Sequence, residues 1–151
     1  QKWMENFQNL YIVFKILPYS KKIHRAIQKQ PKFYFYDWSQ ILDEIARFEN
    51  LISSHLWKAV QLWSYLGEAN LSLHFIRDRD RREVDFLISK DQKPWLLIEA
   101  KLAETSLSES LIHFSNSLNV PGVQLVLKDD VYKKKGNLTV VSANQWLSLL
   151  P

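Results

Sequence analysis

The chain has 151 residues, of which 46% are hydrophobic and 13% aromatic, and its formal net charge is +4. This apolar content excludes an intrinsically disordered chain, and the length suffices for a compact domain with a buried core. The absence of cysteine excludes a disulfide framework, and no apolar run is long enough to span a membrane. The sequence therefore predicts a cytoplasmic protein without a membrane partner, and its basic balance is compatible with a polyanionic ligand.

The N-terminal region alternates between helical and extended patterns. A short helix is predicted by apolar residues at helical spacing, namely Trp3, Phe7 and Leu10. A β-prone run over 11–17, a short helix or twisted arm over 23–30 and an aromatic strand over 32–37 follow. We predict that residues 1–38 are an extension, the tail of a preceding region, and that residues 39–151 form the principal domain.

Residues 40–66 give the longest helical pattern of the chain. Its apolar stripe repeats every 3.6 residues and comprises Ile41, Ile45, Phe48, Ile52, Leu56, Ala59, Val60, Trp63 and Leu66. Glu49 interrupts this stripe, and burying an unpaired carboxylate costs several kcal/mol. We expect a bound metal as its partner, with Arg47 or water as the alternative.

The remainder of the chain alternates strands with helices. Strands are predicted at 71–77, 82–88, 95–101, 123–127 and 138–141, and helices at 107–118 and 143–150. Three strands in a meander, with another added by a helical crossover, give a mixed sheet. We therefore predict an α/β fold with a mixed four- or five-stranded sheet flanked by helices.

The strands over 82–88 and 95–101 are predicted to form a hairpin closed by the polar segment 89–94. Alternation places three apolar side chains on one face of the first strand, namely Val84, Phe86 and Ile88. Pairing Phe86 with Ile98 keeps the apolar faces together. In this register Asp85 lies directly opposite Glu99.

This acidic pair, with Lys101 two positions after Glu99, is the main chemical signal of the sequence. Two adjacent carboxylates repel each other unless a positive charge lies between them. Oxygen ligands suit Mg²⁺, or Mn²⁺ in its place, and Lys101 could orient a water molecule or neutralise charge on phosphorus. The pattern predicts metal-dependent phosphodiester cleavage, and the alternative is ordinary surface charge at the ends of strands.

Two basic patches accompany the acidic pair. Arg79, Arg81 and Arg82 precede the strand that carries Asp85, and a second patch covers 133–135. We interpret the arginines as contacts for nucleic acid, with a solvated turn as the alternative. A further hypothesis is an oligomerisation surface built from exposed aromatic residues, namely Tyr34, Tyr36 and Trp38.

Glu49 on the first long helix, Asp85 on the second strand after it and Glu99-Ala-Lys101 on the third resemble the PD-(D/E)xK nuclease superfamily of restriction endonucleases and junction resolvases. Three segments look still more like the C-terminal domain of unknown function found in predicted prokaryotic AAA+ ATPases. They are RFENLI at 47–52, REVDFLI at 82–88 and PWLLIEAK at 94–101.

The resemblance implies a restriction-endonuclease-like fold in which Asp85, Glu99 and Glu49 hold Mg²⁺ and Lys101 positions the nucleophile. It also implies DNA as the partner, and an ATPase domain upstream in the same polypeptide. The alternative is a non-catalytic module that binds nucleic acid or protein and regulates that ATPase. An oligomer is compatible with either function.

Overall fold

The computed structural model describes residues 2–20 and 30–151. Within them the strands are β1 (Val13–Pro18), β2 (Lys32–Phe35), β3 (Leu71–Arg77), β4 (Glu83–Lys90), β5 (Lys93–Lys101), β6 (Gly122–Val126), β7 (Tyr132–Lys135) and β8 (Leu138–Ser142). The helices are α1 (Lys2–Asn9), α2 (Glu44–Tyr65), α3 (Glu109–Leu118) and α4 (Ala143–Leu147), with a 3₁₀ helix over Trp38–Gln40. The helix or arm predicted over 23–30 lies outside the described residues except for its last position.

All eight strands belong to one mixed sheet in the order β2-β1-β3-β4-β5-β6-β8-β7. The α/β class is confirmed, but the predicted number of four or five strands is wrong. The sequence predicts that residues of β1 and β2 belong to an extension, whereas in the structure β1 pairs in parallel with β3 and β2 pairs antiparallel with β1. The four residues of β7 are all exposed, so this strand lacks the alternation that identifies a strand from sequence.

Helix α2 begins later than predicted. The side chain of Asp43 accepts a hydrogen bond from the Ala46 amide at 2.8 Å and caps this helix, whereas Asp37 caps the 3₁₀ helix before it. Ile45, in the first turn of the expected stripe, is 64% exposed. The stripe is buried from Phe48 to Val60, whereas Trp63 is partly buried and Leu66 is 61% exposed. None of the described helices is both long and apolar enough to cross a membrane.

Helices cover both faces of the sheet. Helix α2 packs over Phe86 and Ile98 on one face, and α3 packs over Leu87 and Leu97 on the other. Gly122 on β6 allows a close approach of α3, because a Cβ atom there would lie 2.9 Å from Leu111 Cδ1. The central strands therefore have apolar side chains on both faces, as strands in a covered sheet must.

The hairpin of β4 and β5 closes through a two-residue turn. Asp91 and Gln92 have φ values of 49° and 64°, so the turn is tighter than the predicted loop over 89–94 and the strands are longer. The predicted pairing of Phe86 with Ile98 is confirmed.

A bulge interrupts β4 next to Asp85. Leu87 pairs with His74 and Val84 pairs with Ile76, so three steps along β4 match two steps along β3. The extra residue reverses the alternation, and Val84 packs with Leu87 while Phe86 packs on the opposite face. The prediction that Val84 and Phe86 share a face is therefore wrong.

Candidate metal and phosphodiester site

Asp85 lies at the β4 bulge, beside the end of β5. Its Oδ2 accepts a hydrogen bond from the backbone amide of Ala100 at 3.0 Å. The side chain is 17% exposed, so one edge of the carboxylate remains accessible. Bulges often reorient a side chain next to a functional site, and this one directs Asp85 across to β5.

Glu99 and Lys101 form the second half of the site. Lys101 Nζ lies 2.9 Å from Glu99 Oε1, while the Glu99 side chain is only 4% exposed. Within the part of the chain that the structure describes, Glu99 Oε2 is buried without a hydrogen-bond partner. A buried, unpaired carboxylate oxygen is costly, so this atom has a free position for a proton or a cation.

Burial raises the pKa of both carboxyl groups. For Asp85 the raised pKa comes from burial first, then from the negative charges of Glu99 and Glu49. For Glu99 burial also raises the pKa, although Lys101 opposes it through its hydrogen bond and charge. The nearby lysines therefore do not fully offset the burial of the two acids and the negative charges around them, and a divalent cation would do so.

Lys101 remains an ammonium group at neutral pH. Burial opposes its charge, but the hydrogen bond to Glu99 and the nearby Asp85 raise its pKa above the ordinary lysine value. It can therefore donate hydrogen bonds and stabilise negative charge, but it does not act as a base at neutral pH.

Glu49 has partners that the sequence did not suggest. Its Oε1 lies 3.1 Å from Lys32 Nζ and accepts a hydrogen bond from the Tyr34 hydroxyl at 2.6 Å. The expected alternative partner, Arg47, instead approaches the backbone carbonyl of Ile41 at 3.5 Å. Glu49 is nevertheless close enough to raise the pKa of both Asp85 and Glu99.

Lys32 and Gln124 are site residues that the sequence reasoning missed. Lys32 alternates with Tyr34 on β2, and this spacing could have placed both on one face. Gln124 is fully buried and pairs in register with Glu99. Its Nε2 donates to the carbonyls of Glu104 at 2.7 Å and Ser106 at 2.8 Å, which fixes the loop after Lys101. A single buried glutamine in an apolar strand gave no signal of this role.

The three arginines predicted to contact nucleic acid differ in whether neighbouring acids already neutralise their charges. Arg82 bonds Asp78 at 2.7 Å and Asp80 at 2.5 Å, so neighbouring acids largely neutralise its charge. Arg79 and Arg81 are exposed. These two residues are therefore the more available positive charges of the predicted arginine patch.

The expected surface of aromatic residues is not continuous. Tyr34 is buried at 6% exposure and contacts Phe86 and Phe14 in the core, so its assignment as exposed is wrong. Tyr36 and Trp38 are 40% and 38% exposed. The strand alternation that exposes its neighbours directs Tyr34 inward.

The oxygen donors fit a hard cation such as Mg²⁺. Asp85 and Glu99 supply two carboxylates, and Mg²⁺ is typically held by one or two carboxylates while it keeps several waters. In the described ranges, no three side chains of His, Asp or Glu are arranged to hold an ion by themselves. A metal here would therefore depend on water and on substrate oxygens to complete its coordination.

These features define a mixed α/β domain with a buried acidic cluster and two lysines around the bulge of β4 and the end of β5. The chain belongs to the family described as Domain of unknown function (DUF4143), which matches residues 46–146. Neither the curated proteins nor the solved structures gave a significant match. The family match includes Glu49, Asp85 and Lys101 but begins after Lys32 and Tyr34.

Proposed function

We propose that this chain is a Mg²⁺-dependent nuclease-like domain that cleaves DNA and forms the C-terminal part of an AAA+ ATPase. In this proposal its fold is of the PD-(D/E)xK, restriction-endonuclease-like type. The observation that carries the proposal is the juxtaposition of Asp85 and Glu99 beside the ammonium of Lys101, with Glu99 Oε2 buried and unpaired.

Asp85 and Glu99 would hold the ion, either Mg²⁺ or Mn²⁺. When bound, such an ion lowers the pKa of its water and polarises a phosphate oxygen. Lys101 contributes a fixed positive charge beside the position of the phosphate, where it would stabilise the charge that develops during cleavage. Arg79 and Arg81 would contact the DNA backbone as exposed cations.

Glu49 acts indirectly in this proposal. Its Oε1 is bound by Lys32 and Tyr34, so it places negative charge near Asp85 and Glu99 while its own position is fixed. That negative charge attracts a cation, and it repels the charges of Asp85 and Glu99 unless a cation neutralises them.

A second candidate is a non-catalytic module that binds nucleic acid or protein and regulates the ATPase. The position of Lys32 supports it, because an internal ammonium already neutralises part of the acidic cluster. In that case the carboxylates and lysines would serve chiefly as a structural network.

Cleavage assays distinguish the two candidates. Supercoiled plasmid and end-labelled linear DNA are incubated with the protein in Mg²⁺, Mn²⁺ or EDTA. We expect metal-dependent cleavage that falls at least about 100-fold in Asp85→Asn and in Lys101→Met, because the first removes a charge that would hold the ion and the second removes the positive charge beside the reacting phosphate. The matched control is Lys93→Met, which removes a lysine at the other end of β5.

Cleavage that is equal in Asp85→Asn and the unmodified protein would indicate a contaminating nuclease and contradict the proposal. Absence of cleavage with either ion, together with DNA binding that is lost in Arg79→Glu/Arg81→Glu, would favour the non-catalytic module. All variants are compared by circular dichroism to confirm that they remain folded.

A further inference from the structure

Lys32 reaches from the edge strand β2 into the acidic cluster. Its side chain passes over the ring of Phe75, with Nζ 5.6 Å from the ring centroid. The ammonium lies 2.7 Å from Glu83 Oε1, 3.1 Å from Glu49 Oε1 and 3.8 Å from Asp85 Oδ1. One cation thus has three carboxylates from two different elements around it, and its side chain is only 23% exposed.

Two of the three carboxylates lie within hydrogen-bonding distance of the ammonium. Of the oxygens around Lys32 Nζ, Glu83 Oε1 and Glu49 Oε1 are close enough to accept an N–H bond, whereas Asp85 Oδ1 at 3.8 Å makes an ion pair without a hydrogen bond. Burial opposes the charge of Lys32, but Glu49, Glu83 and Asp85 together raise its pKa above the ordinary lysine value. Lys32 therefore stays positively charged at the position where the three acids converge.

The charges of the cluster limit how many further cations it can accept. Glu49, Glu83, Asp85 and Glu99 carry four negative charges when ionised, and Lys32 and Lys101 carry two positive charges. A single divalent ion balances the remainder. Arg77, which also contacts Glu83, is 54% exposed and is therefore screened by solvent. A second divalent ion would leave two excess positive charges with Lys32 present, but only one after Lys32 is removed, so Lys32 makes binding of a second ion less favourable.

We infer that Lys32 is a positioning residue that acts as a built-in cation, taking the place of a second divalent ion and restricting this centre to one metal. This inference rests on the proposed function for the ion at Asp85 and Glu99. It excludes a mechanism in which two metal ions share Asp85. It also makes β2 a required part of the site.

Counting bound ions tests the inference. Mn²⁺ binding is measured by isothermal titration calorimetry and by the loss of the free-ion electron paramagnetic resonance signal. We expect one Mn²⁺ per chain in the unmodified protein and two in Lys32→Met, because methionine keeps an apolar stem over Phe75 and removes the charge. Lys32→Gln is measured in parallel, in case the methionine variant does not fold.

The controls distinguish the effect of the charge of Lys32 from the effect of replacing any lysine of the N-terminal strands. Lys32→Arg retains the charge and should bind one ion. Lys15→Met removes an exposed lysine of β1 and should also bind one. Unchanged stoichiometry in folded Lys32→Met and Lys32→Gln would overturn the inference. If the unmodified protein binds no ion and Lys32→Met binds one, Lys32 does replace a metal, but the metal-dependent function proposed above fails.

Discussion

The titratable side chains of the site have pKa values that differ from those of the same residues when exposed to solvent. Burial and the charge of Glu49 raise the pKa of Tyr34, so its hydroxyl stays protonated and donates to Glu49 at 2.6 Å. Lys32 and Lys101 stay positive because acids surround them, whereas Asp85 and Glu99 resist ionisation because they are buried beside each other. The shifted pKa values of these residues therefore come from their neighbours rather than from their residue types.

His74 shows the same effect away from the acidic cluster. It lies on β3, and its Nε2 is 3.2 Å from the hydroxyl of Ser89, while the ring of Tyr19 contacts it edge-on. Burial lowers the pKa of this histidine below its ordinary value, with the backbone of Leu17 opposing the shift. The folded protein therefore binds a proton at His74 less readily than the unfolded chain does.

This shift predicts a loss of stability in acid. Above the ordinary histidine pKa both states are neutral at His74, so its contribution is constant. As the pH falls below that value, the unfolded chain takes up the proton first, and the free energy of unfolding decreases. We expect a smaller decrease in His74→Gln than in the unmodified protein.

Urea unfolding at pH 7.5 and pH 5 measures this difference. The raised pKa values of Asp85 and Glu99 have an opposite effect, but they are common to both proteins and cancel in the comparison. Equal changes in the two proteins would show that His74 does not titrate differently in the folded state.

The hairpin of β4 and β5 carries Asp85, Glu99 and Lys101, so its geometry determines that of the site. The two-residue turn joins the strands, and an irregularity opposite Ile88 and Ser89 shifts the register by one residue to pair Phe86 with Ile98. The bulge in β4 redirects Asp85 towards β5. Both turn residues, Asp91 and Gln92, have the left-handed backbone conformation that favours glycine. Glutamine at the second position is therefore strained.

We expect Gln92→Gly to raise the free energy of unfolding by about 0.5–1 kcal/mol, because glycine adopts a positive φ without a Cβ clash. The contact of the Tyr19 hydroxyl with the Gln92 carbonyl is retained, since it uses the backbone. The measurement is urea unfolding at neutral pH. As a matched control, Gln61→Gly at an exposed position in the C-terminal part of α2 should lower the stability by about 1 kcal/mol. Destabilisation by Gln92→Gly would mean that this turn has a different conformation.

The N-terminal strands are integrated into the sheet and its core. Phe14 and Ile16 of β1 and Tyr34 of β2 are 3%, 1% and 6% exposed. Phe14 also stacks on Trp57 of α2, with ring centroids 5.2 Å apart. By contrast, α1 has no buried residue. These contacts motivate an experimental test of the predicted division at residue 38.

We expect a chain of residues 39–151 to be unable to fold cooperatively. Removing a large buried side chain costs about 2–5 kcal/mol, and three such losses approach or exceed the total stability of a typical domain, about 5–15 kcal/mol. A chain of residues 12–151, which lacks only α1 and the residues around it, should unfold at nearly the same temperature as the full sequence. Differential scanning calorimetry compares the three chains.

Two results of this comparison would contradict the expectation. A cooperative transition for residues 39–151 at the temperature of the full sequence would show that the N-terminal strands are a dispensable extension. Loss of folding in both shortened chains would instead show that α1 contributes more than its exposure indicates.

The sequence by itself determined the local elements and one long-range pairing. Strong apolar patterns located α2 and the strands from β3 to β6 within a few residues, because side-chain periodicity reflects which face is buried. The register of Phe86 with Ile98 followed from keeping apolar faces together, and in the structure Asp85 accepts a hydrogen bond from the amide of Ala100, which lies between Glu99 and Lys101.

Only the tertiary structure decided the contacts made by residues distant in the chain. Lys32 and Glu49 are brought together by packing of β2 against α2, and no local pattern records this. The β4 bulge reversed the face of Val84, because alternation assumes an uninterrupted ladder. Apolar periodicity also failed to predict the polar edge strand β7, since its hydrogen bonds are made by the backbone and do not depend on apolar side chains.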